Sequence, residues 1–102
     1  MNPEIKEDLM EALRSGEHVQ GYEYLEQLDG SQCCLGVLCD IMGAESTVCI
    51  RSVRYDGMMS YPSAKIQREA GLTTKDIASL AHLNDEHKAT FDEIADWIEV
   101  YL

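Results

Sequence analysis

The sequence has few basic residues and no long hydrophobic run. Its 102 residues include 19 acidic and 8 basic side chains, which gives a formal net charge of −11. Because nucleic-acid binding depends on Lys and Arg neutralising phosphates, this balance disfavours direct nucleic-acid contact and favours a partner with a basic surface. Acidity that serves only solubility is the alternative. No run of about 18 apolar residues occurs, so we predict no membrane span.

Signals for export, metal binding and phosphate binding are also missing. Residues 1–6 lack the basic start and apolar stretch of a secretory signal, so we expect a cytoplasmic protein with reduced thiols. The four cysteines form no Cys-x-x-Cys pair, and no glycine-rich phosphate loop is present. We therefore predict no metal and no cofactor, and we interpret Cys34, Cys39 and Cys49 as small buried apolar residues.

Two chemical alternatives stay open at this point. His82, Asp85 and His87 are near enough in sequence for a surface metal site, although a solvated loop is the simpler interpretation. Cys33 precedes a predicted helix, whose N-terminus would favour its thiolate, with His18 or His82 as the base. Since nothing in the spacing brings these groups together, a buried thiol is the favoured interpretation.

The stretch Gln32–Asp40 is nearly uncharged and predicts the centre of the core. Its apolar residues continue at helical spacing into the following turn: Leu35, Leu38, Ile41 and Met42. Gly36 would allow another backbone to approach closely. Gly43 fits the left-handed position that ends a helix. We predict a short, buried central helix.

Four further helices are predicted from their capping residues. Their N-caps are Asn2, Ser63, Thr73 or Thr74, and Thr90, the last with a Thr-x-x-Glu capping box. The first helix is expected to end near Ser15, and a polar loop is expected over residues 84–88.

The remaining segments predict a small sheet. Thr47–Tyr55 is β-branched and partly alternating, which indicates one strand. Asp56-Gly57 favours a type I′ turn, after which residues 58–61 return antiparallel. Tyr22–Leu28 is either a strand or irregular. The chain is thus predicted to be one α+β domain over residues 1–102, with several helices around a short central helix and a small antiparallel sheet.

Carboxylates repeat at i, i+4 and i+7 on the first and last helices. They are Glu4, Asp8 and Glu11, and Asp92, Asp96 and Glu99. Like charges at this spacing repel, so either water screens them or a partner uses them. Because the neighbouring stripe of each helix is apolar, the carboxylates should be held on a rigid support. These six are the predicted partner-binding residues.

Four segments of this chain occur together in a known group of proteins. They are Ala12–Gly16 (ALRSG), Cys33–Asp40 (CCLGVLCD), Leu83–Glu86 (LNDE) and Phe91–Glu99 (FDEIADWIE). With them the chain resembles, over nearly its whole length, a family of small acidic proteins encoded by tailed bacteriophages and prophages. The resemblance implies an accessory protein in the bacterial host cytoplasm and no catalytic residues. The chain departs from it at Glu17–Leu28, where similar proteins often carry a more basic, glycine-rich passage.

Three functions follow as hypotheses. The first is a non-enzymatic protein that blocks a basic surface of a host defence or nucleic-acid-processing protein, for example by mimicking nucleic acid. The second is a small enzyme or ligand-binding protein with a pocket beside the central helix, and the third is a virion or housekeeping role. A ligand site needs convergent polar groups on apolar walls. The sequence shows spread carboxylates instead, which favours the first hypothesis and leaves the oligomeric state open.

Overall fold

Five helices and a three-stranded antiparallel sheet build the protein in a computed structural model that describes residues 1–102. The elements in chain order are α1 (Pro3–Arg14), β1 (Glu26–Gln27), α2 (Cys34–Ile41), β2 (Ser46–Val48), β3 (Ser52–Tyr55), α3 (Ala64–Ala70), α4 (Thr74–Asp85) and α5 (Phe91–Tyr101). The predicted α+β fold is confirmed. The longest helices have 12 residues, and none combines the length and apolarity needed to cross a membrane.

The helices around α2 begin at the predicted capping residues. The Asn2 side chain accepts hydrogen bonds from two amides of α1, and Ser63 accepts one from α3. Thr73 and Thr90 each form a reciprocal capping box with the acidic residue three positions later. Because the cap fixes where each helix starts, it also fixes which residues face the core and which face solvent.

The central helix α2 lies in the core along most of its length. Every residue from Cys34 to Cys39 is buried. Gly36 lies so close to another segment that a Cβ there would be 1.7 Å from the Leu25 carbonyl oxygen. Gly43, with φ of 72°, follows the last turn of the helix as predicted. The helices α1 and α4 pack against α2, α5 packs against α1 and α4, and one cluster of 20 buried residues fills the space between them.

The predicted single strand Thr47–Tyr55 is wrong, because the chain reverses inside it. β2 and β3 are the two arms of a hairpin, and the Cys49 amide donates to the Ser52 carbonyl oxygen at 2.9 Å across the turn. The two central residues of this turn are Ile50 and Arg51. Neither belongs to the residue types by which turns are recognised in a sequence, and the β-branched pattern runs straight through.

The turn at Asp56-Gly57 is confirmed, but the return strand over residues 58–61 is wrong. Both turn residues have positive φ, and Tyr55 exchanges backbone hydrogen bonds with Met58. A longer return strand would next pair with Val53, yet that edge of β3 is occupied by β1. The sheet order is therefore β1-β3-β2, and Tyr22–Leu28 is irregular apart from the two residues of β1.

Candidate functional site

The six predicted partner-binding carboxylates are all exposed on α1 and α5. They are Glu4, Asp8 and Glu11 on α1, and Asp92, Asp96 and Glu99 on α5. The opposite sides of these helices lie in the core, where Leu9 and Leu13 of α1 and Ile94 and Ile98 of α5 are buried. Since α1 and α5 also pack against each other, the carboxylates are carried by two neighbouring, firmly packed helices.

Arg14 neutralises part of the α5 row. Its Nη2 atom lies 2.8 Å from Asp96 Oδ1, and its Nη1 atom lies 3.5 Å from Glu99 Oε1. The hydrogen bond to Asp96 raises the pKa of the Arg14 guanidinium. The Lys6 ammonium also approaches α5, donating to the Glu99 carbonyl oxygen at 3.2 Å. The α5 carboxylates are therefore partly compensated within the molecule.

The α1 row has no such compensation. Arg14 and Lys6 reach toward α5. Because successive helical residues are rotated by about 100°, the acidic row lies roughly a quarter turn from Arg14 and almost half a turn from Lys6. None of Glu4, Asp8 and Glu11 forms an ion pair. The two predicted rows are consequently neighbours with different electrostatic character, and the α1 row carries the more available negative charge.

A cleft beside the C-terminal end of α2 collects three carboxylates. Its volume is about 490 Å³, and its walls include Asp8, Glu11, Glu17, His18 and Ile41. Glu17 comes from the loop after α1, so the chain brings it beside two members of the α1 row. No Lys or Arg lines the cleft. We call it the acidic cleft, and its charge and concave shape suit the ammonium or guanidinium group of a partner.

The buried side chain of Gln32 holds the loop that forms one wall of this cleft. Its Oε1 atom lies 2.9 Å from His18 Nδ1, and its backbone bonds to Val19 and Gly21 at 2.8 and 2.7 Å. The side-chain Nε2 atom of Gln32 donates to the Tyr55 hydroxyl at 3.1 Å. Glu17 and His18 are thus tied through Gln32 to the sheet, although Gln32 is only 4% exposed and gave no functional signal in the sequence.

Tyr55 and Glu26 complete that network. The Tyr55 hydroxyl donates to Glu26 Oε1 at 2.6 Å, joining β3 to β1. Burial, assisted by the neighbouring Glu26 carboxylate, raises the pKa of the Tyr55 phenol. The phenol therefore stays protonated and serves as a hydrogen-bond donor between the strands.

Asn84 holds the same loop from the other side. It is fully buried, and its Oδ1 atom accepts hydrogen bonds from Gln20 Nε2 at 2.9 Å and from the Cys34 amide at 3.2 Å. Its Nδ2 atom donates to the Gly21 carbonyl oxygen at 2.9 Å. The polar loop predicted over residues 84–88 is wrong at its start, because α4 continues through Asp85 and Asn84 faces inward. One side chain thereby connects α4, α2 and the cleft loop.

Three of the four cysteines are buried, which disfavours their thiolate forms. Burial raises the pKa of the Cys33 thiol to about 11, which opposes the thiolate character that a helix N-terminus would give. Burial also raises the pKa of Cys34, and that of Cys39 to about 12. The interpretation of Cys49 as a buried residue is wrong, since it is half-buried on the β2–β3 hairpin.

The structure gives no support to the surface metal site or to the ligand pocket beside the central helix, the two remaining alternatives. The rings of His82 and His87 lie 5.5 Å apart, edge to face, but Asp85 Oδ1 accepts from the Glu23 amide and from Asn84. No group of three or more His, Cys, Asp or Glu residues is placed to hold a metal ion. Ile41 is the only residue of α2 that lines any of the four surface clefts, so the pocket that the alternative hypothesis places beside the central helix reduces to the end of the acidic cleft.

A known protein family matches about two thirds of the chain. Residues 1–67, which are 67 of the 102, match the family described as a domain of unknown function, DUF8296. The chain belongs to the DUF8296 family. In this DUF8296 member the matched residues include α1, the acidic cleft and all three strands, whereas α4 and α5 lie beyond them. No curated protein and no solved structure matches the chain.

Proposed function

We propose that this protein is a phage-encoded accessory protein that acts in the bacterial host cytoplasm by binding a basic surface of a host protein through the acidic cleft. The observation that carries the proposal is the convergence of Asp8, Glu11 and Glu17 on one cleft that no Lys or Arg lines. The phage origin and the place of action rest on the family resemblance of the four sequence segments.

The chemistry of the cleft favours a cationic side chain. Three carboxylates can accept several charge-assisted hydrogen bonds from one guanidinium group, which is stronger than pairing with neutral donors. The net charge of −11 adds long-range attraction, which speeds the encounter with a basic partner. An Arg or Lys side chain of the partner would therefore enter the cleft, and the surrounding acidic surface would orient the rest of the partner's basic surface.

Carboxylate rows on two packed helices also present negative charge as a nucleic-acid backbone does. A host defence or nucleic-acid-processing protein has a basic surface of the required kind, because such surfaces neutralise phosphates. In this proposal the α5 row has a smaller part than the α1 row, since Arg14 already compensates Asp96 and Glu99.

The test begins with capture of host proteins from lysate on the immobilised protein, at low and at moderate salt, followed by affinity measurements on each retained protein. The α1 variant replaces Glu4, Asp8 and Glu11 by Gln. A matched control replaces Glu23, Glu69 and Glu86 by Gln, exposed carboxylates outside α1 and α5, so that net charge changes equally. The α5 variant carries Asp92→Asn, Asp96→Asn and Glu99→Gln.

Three charge contacts of roughly 0.2–1 kcal/mol each sum to about 0.6–3 kcal/mol, so we expect the α1 variant to lose roughly threefold to a hundredfold in affinity. The α5 variant should lose less, and the control should bind almost normally. Duplex DNA added in excess should displace the protein from a nucleic-acid-binding partner. If the α1 variant, which removes Asp8 and Glu11 from the acidic cleft, and the α5 variant both bind as tightly as the matched control, the acidic cleft is not the binding site and the charge serves solubility alone.

A further inference from the structure

The β2–β3 hairpin exposes apolar side chains that the core does not cover. Val48 is 76% exposed and Ile50 is 94% exposed, the largest values among the large apolar residues of the protein. Val48 pairs with Val53 across the hairpin, so the two side chains share one face of the sheet. Val53 is buried. The apolar face of the sheet therefore continues beyond the helices that cover it and ends in solvent.

The same strand has a free backbone edge. β2 is the outer strand in the order β1-β3-β2. Glu45 accepts from the Asp56 amide at 2.7 Å, and Cys49 donates to Ser52. By the alternation of an antiparallel ladder, the odd-numbered residues bond to β3 and the amide and carbonyl groups of Ser46 and Val48 point outward. β2 contains no Lys and no Pro, the residues that usually protect an edge from pairing.

Charges of opposite sign lie at the two ends of this edge. Glu45 precedes β2 and Arg51 lies in the turn that follows it, and neither forms an ion pair within the molecule. When two copies of such a strand pair antiparallel, the start of one lies beside the end of the other. Each Glu45 is then near the Arg51 of the second copy, and this complementarity occurs twice.

We propose that two copies of this protein associate through their β2 edges, with the two-fold axis at Val48. In that register the outward amide and carbonyl groups of the two Val48 residues bond to each other. Because Ile50 lies in the hairpin turn, the ladder is limited to the Val48 pair, and Ser46 lies beside the turn of the second copy. The contact is self-complementary and closed, as expected of a two-fold dimer, and it covers the apolar side chains that the monomer exposes.

The dimer is weak because the edge is short. β2 has three residues, so the shared surface lies at the small end of specific interfaces. A dissociation constant on the order of 10–100 µM is expected, within the range of transient complexes. The acidic cleft lies on α1 and the loop after it, so this association is independent of the proposed function.

Sedimentation velocity across a concentration series, from about 5 µM to about 1 mM, tests the association. The wild-type sedimentation coefficient should rise with concentration toward that of a dimer. Val48→Lys should keep the protein monomeric throughout, because it places a solvated charge on the pairing edge. Val19→Lys is the matched control: Val19 is 71% exposed but lies outside the sheet, so this variant should dimerise as wild type does.

Charge reversal distinguishes strand pairing in the proposed register from nonspecific apolar association. Glu45→Arg and Arg51→Glu should each raise the dissociation constant at least about fivefold, because each turns two attractive contacts into repulsive ones. The double variant restores opposite charges and should return to within about twofold of wild type. Circular dichroism confirms that each variant is folded. A wild-type protein that stays monomeric, a Val48→Lys variant that still dimerises, or a double variant that fails to recover would each overturn the proposal.

Discussion

Gly36→Ala should destabilise the protein, although alanine is the better helix former. In an exposed helix the same change stabilises by about 1 kcal/mol. In α2 the new Cβ would lie 1.7 Å from the Leu25 carbonyl oxygen and 2.6 Å from its carbonyl carbon. Real Cβ atoms essentially never approach another atom within 3.0 Å, so the two backbones must separate by at least 1.3 Å, the difference between 3.0 and 1.7 Å.

Neither backbone can move that far cheaply. Leu25 is fully buried, and its amide donates to the Met59 carbonyl oxygen at 2.9 Å. On the other side, α2 is fixed between α1 and α4. Overpacking of this kind costs typically about 1–3 kcal/mol and occasionally more. Since the required separation is large, we take the upper end of that range; after subtraction of the helix-propensity gain of about 1 kcal/mol, the expected net loss is about 2 kcal/mol or more, a large part of the stability of a small domain.

Urea unfolding, followed by Trp97 fluorescence and far-UV circular dichroism, measures this loss. Gly43→Ala is the control, since a Cβ there meets nothing within 4 Å and the only cost is its φ of +72°, about 1–2 kcal/mol. Gly36→Ala should lower the free energy of unfolding by more than the control does. A Gly36→Ala protein as stable as wild type, or more stable, would refute the close contact between α2 and Leu25.

Three further outcomes are expected. Asn84→Ala should lower the free energy of unfolding by about 2–4 kcal/mol in urea titrations, because the buried Cys34 amide and the buried Gly21 carbonyl oxygen would each lose a hydrogen-bond partner. Replacing the exposed cap, Asn2→Ala, should lower it by about 1 kcal/mol. A thiol reagent should rapidly modify one cysteine of the folded protein, Cys49, and the Cys49→Ser variant should show no rapid modification. Rapid modification of two cysteines would contradict the burial of the other three. The buried thiols should leave stability unchanged between about pH 7 and 8.5 and then lower it toward pH 11 by about 1.4 kcal/mol per pH unit for each thiol, because burial raises the folded-state pKa and the unfolded chain releases those protons first. Unfolding at a series of pH values that shows stability rising over this range would contradict the sign.

Local chemistry made the helices predictable. Asn2, Ser63, Thr73 and Thr90 start their helices because their side chains satisfy amides within three residues, an interaction that needs no tertiary contact. The same is true of Asp56-Gly57, where two residues adopt positive φ whatever the rest of the chain does. The position of Gly36 inside an apolar helix likewise indicated a close backbone contact before its partner, Leu25, was known.

The strand pairing and the buried position of Asn84 could not be predicted from local sequence. Whether residues 58–61 extend the sheet depends on which segment fills the edge of β3, and β1 supplies that segment from about 25 residues earlier in the chain. Asn84 looked like a loop residue because its type is common in loops. Its burial depends on the backbone of Gly21 and on Cys34, which reach it only in the folded molecule.

The sequence by itself determined the helix starts, the central position of α2, the excess of negative charge and the exposure of six carboxylates, since each of these follows from composition or from spacing within one helix. Only the tertiary structure decided which carboxylates are available. Arg14 reaches Asp96 because α1 packs against α5, whereas Glu17 joins Asp8 and Glu11 because Gln32 and Asn84 fix the loop after α1. Electrostatic interactions depend on distance through space, and distances between different elements are set when the core packs.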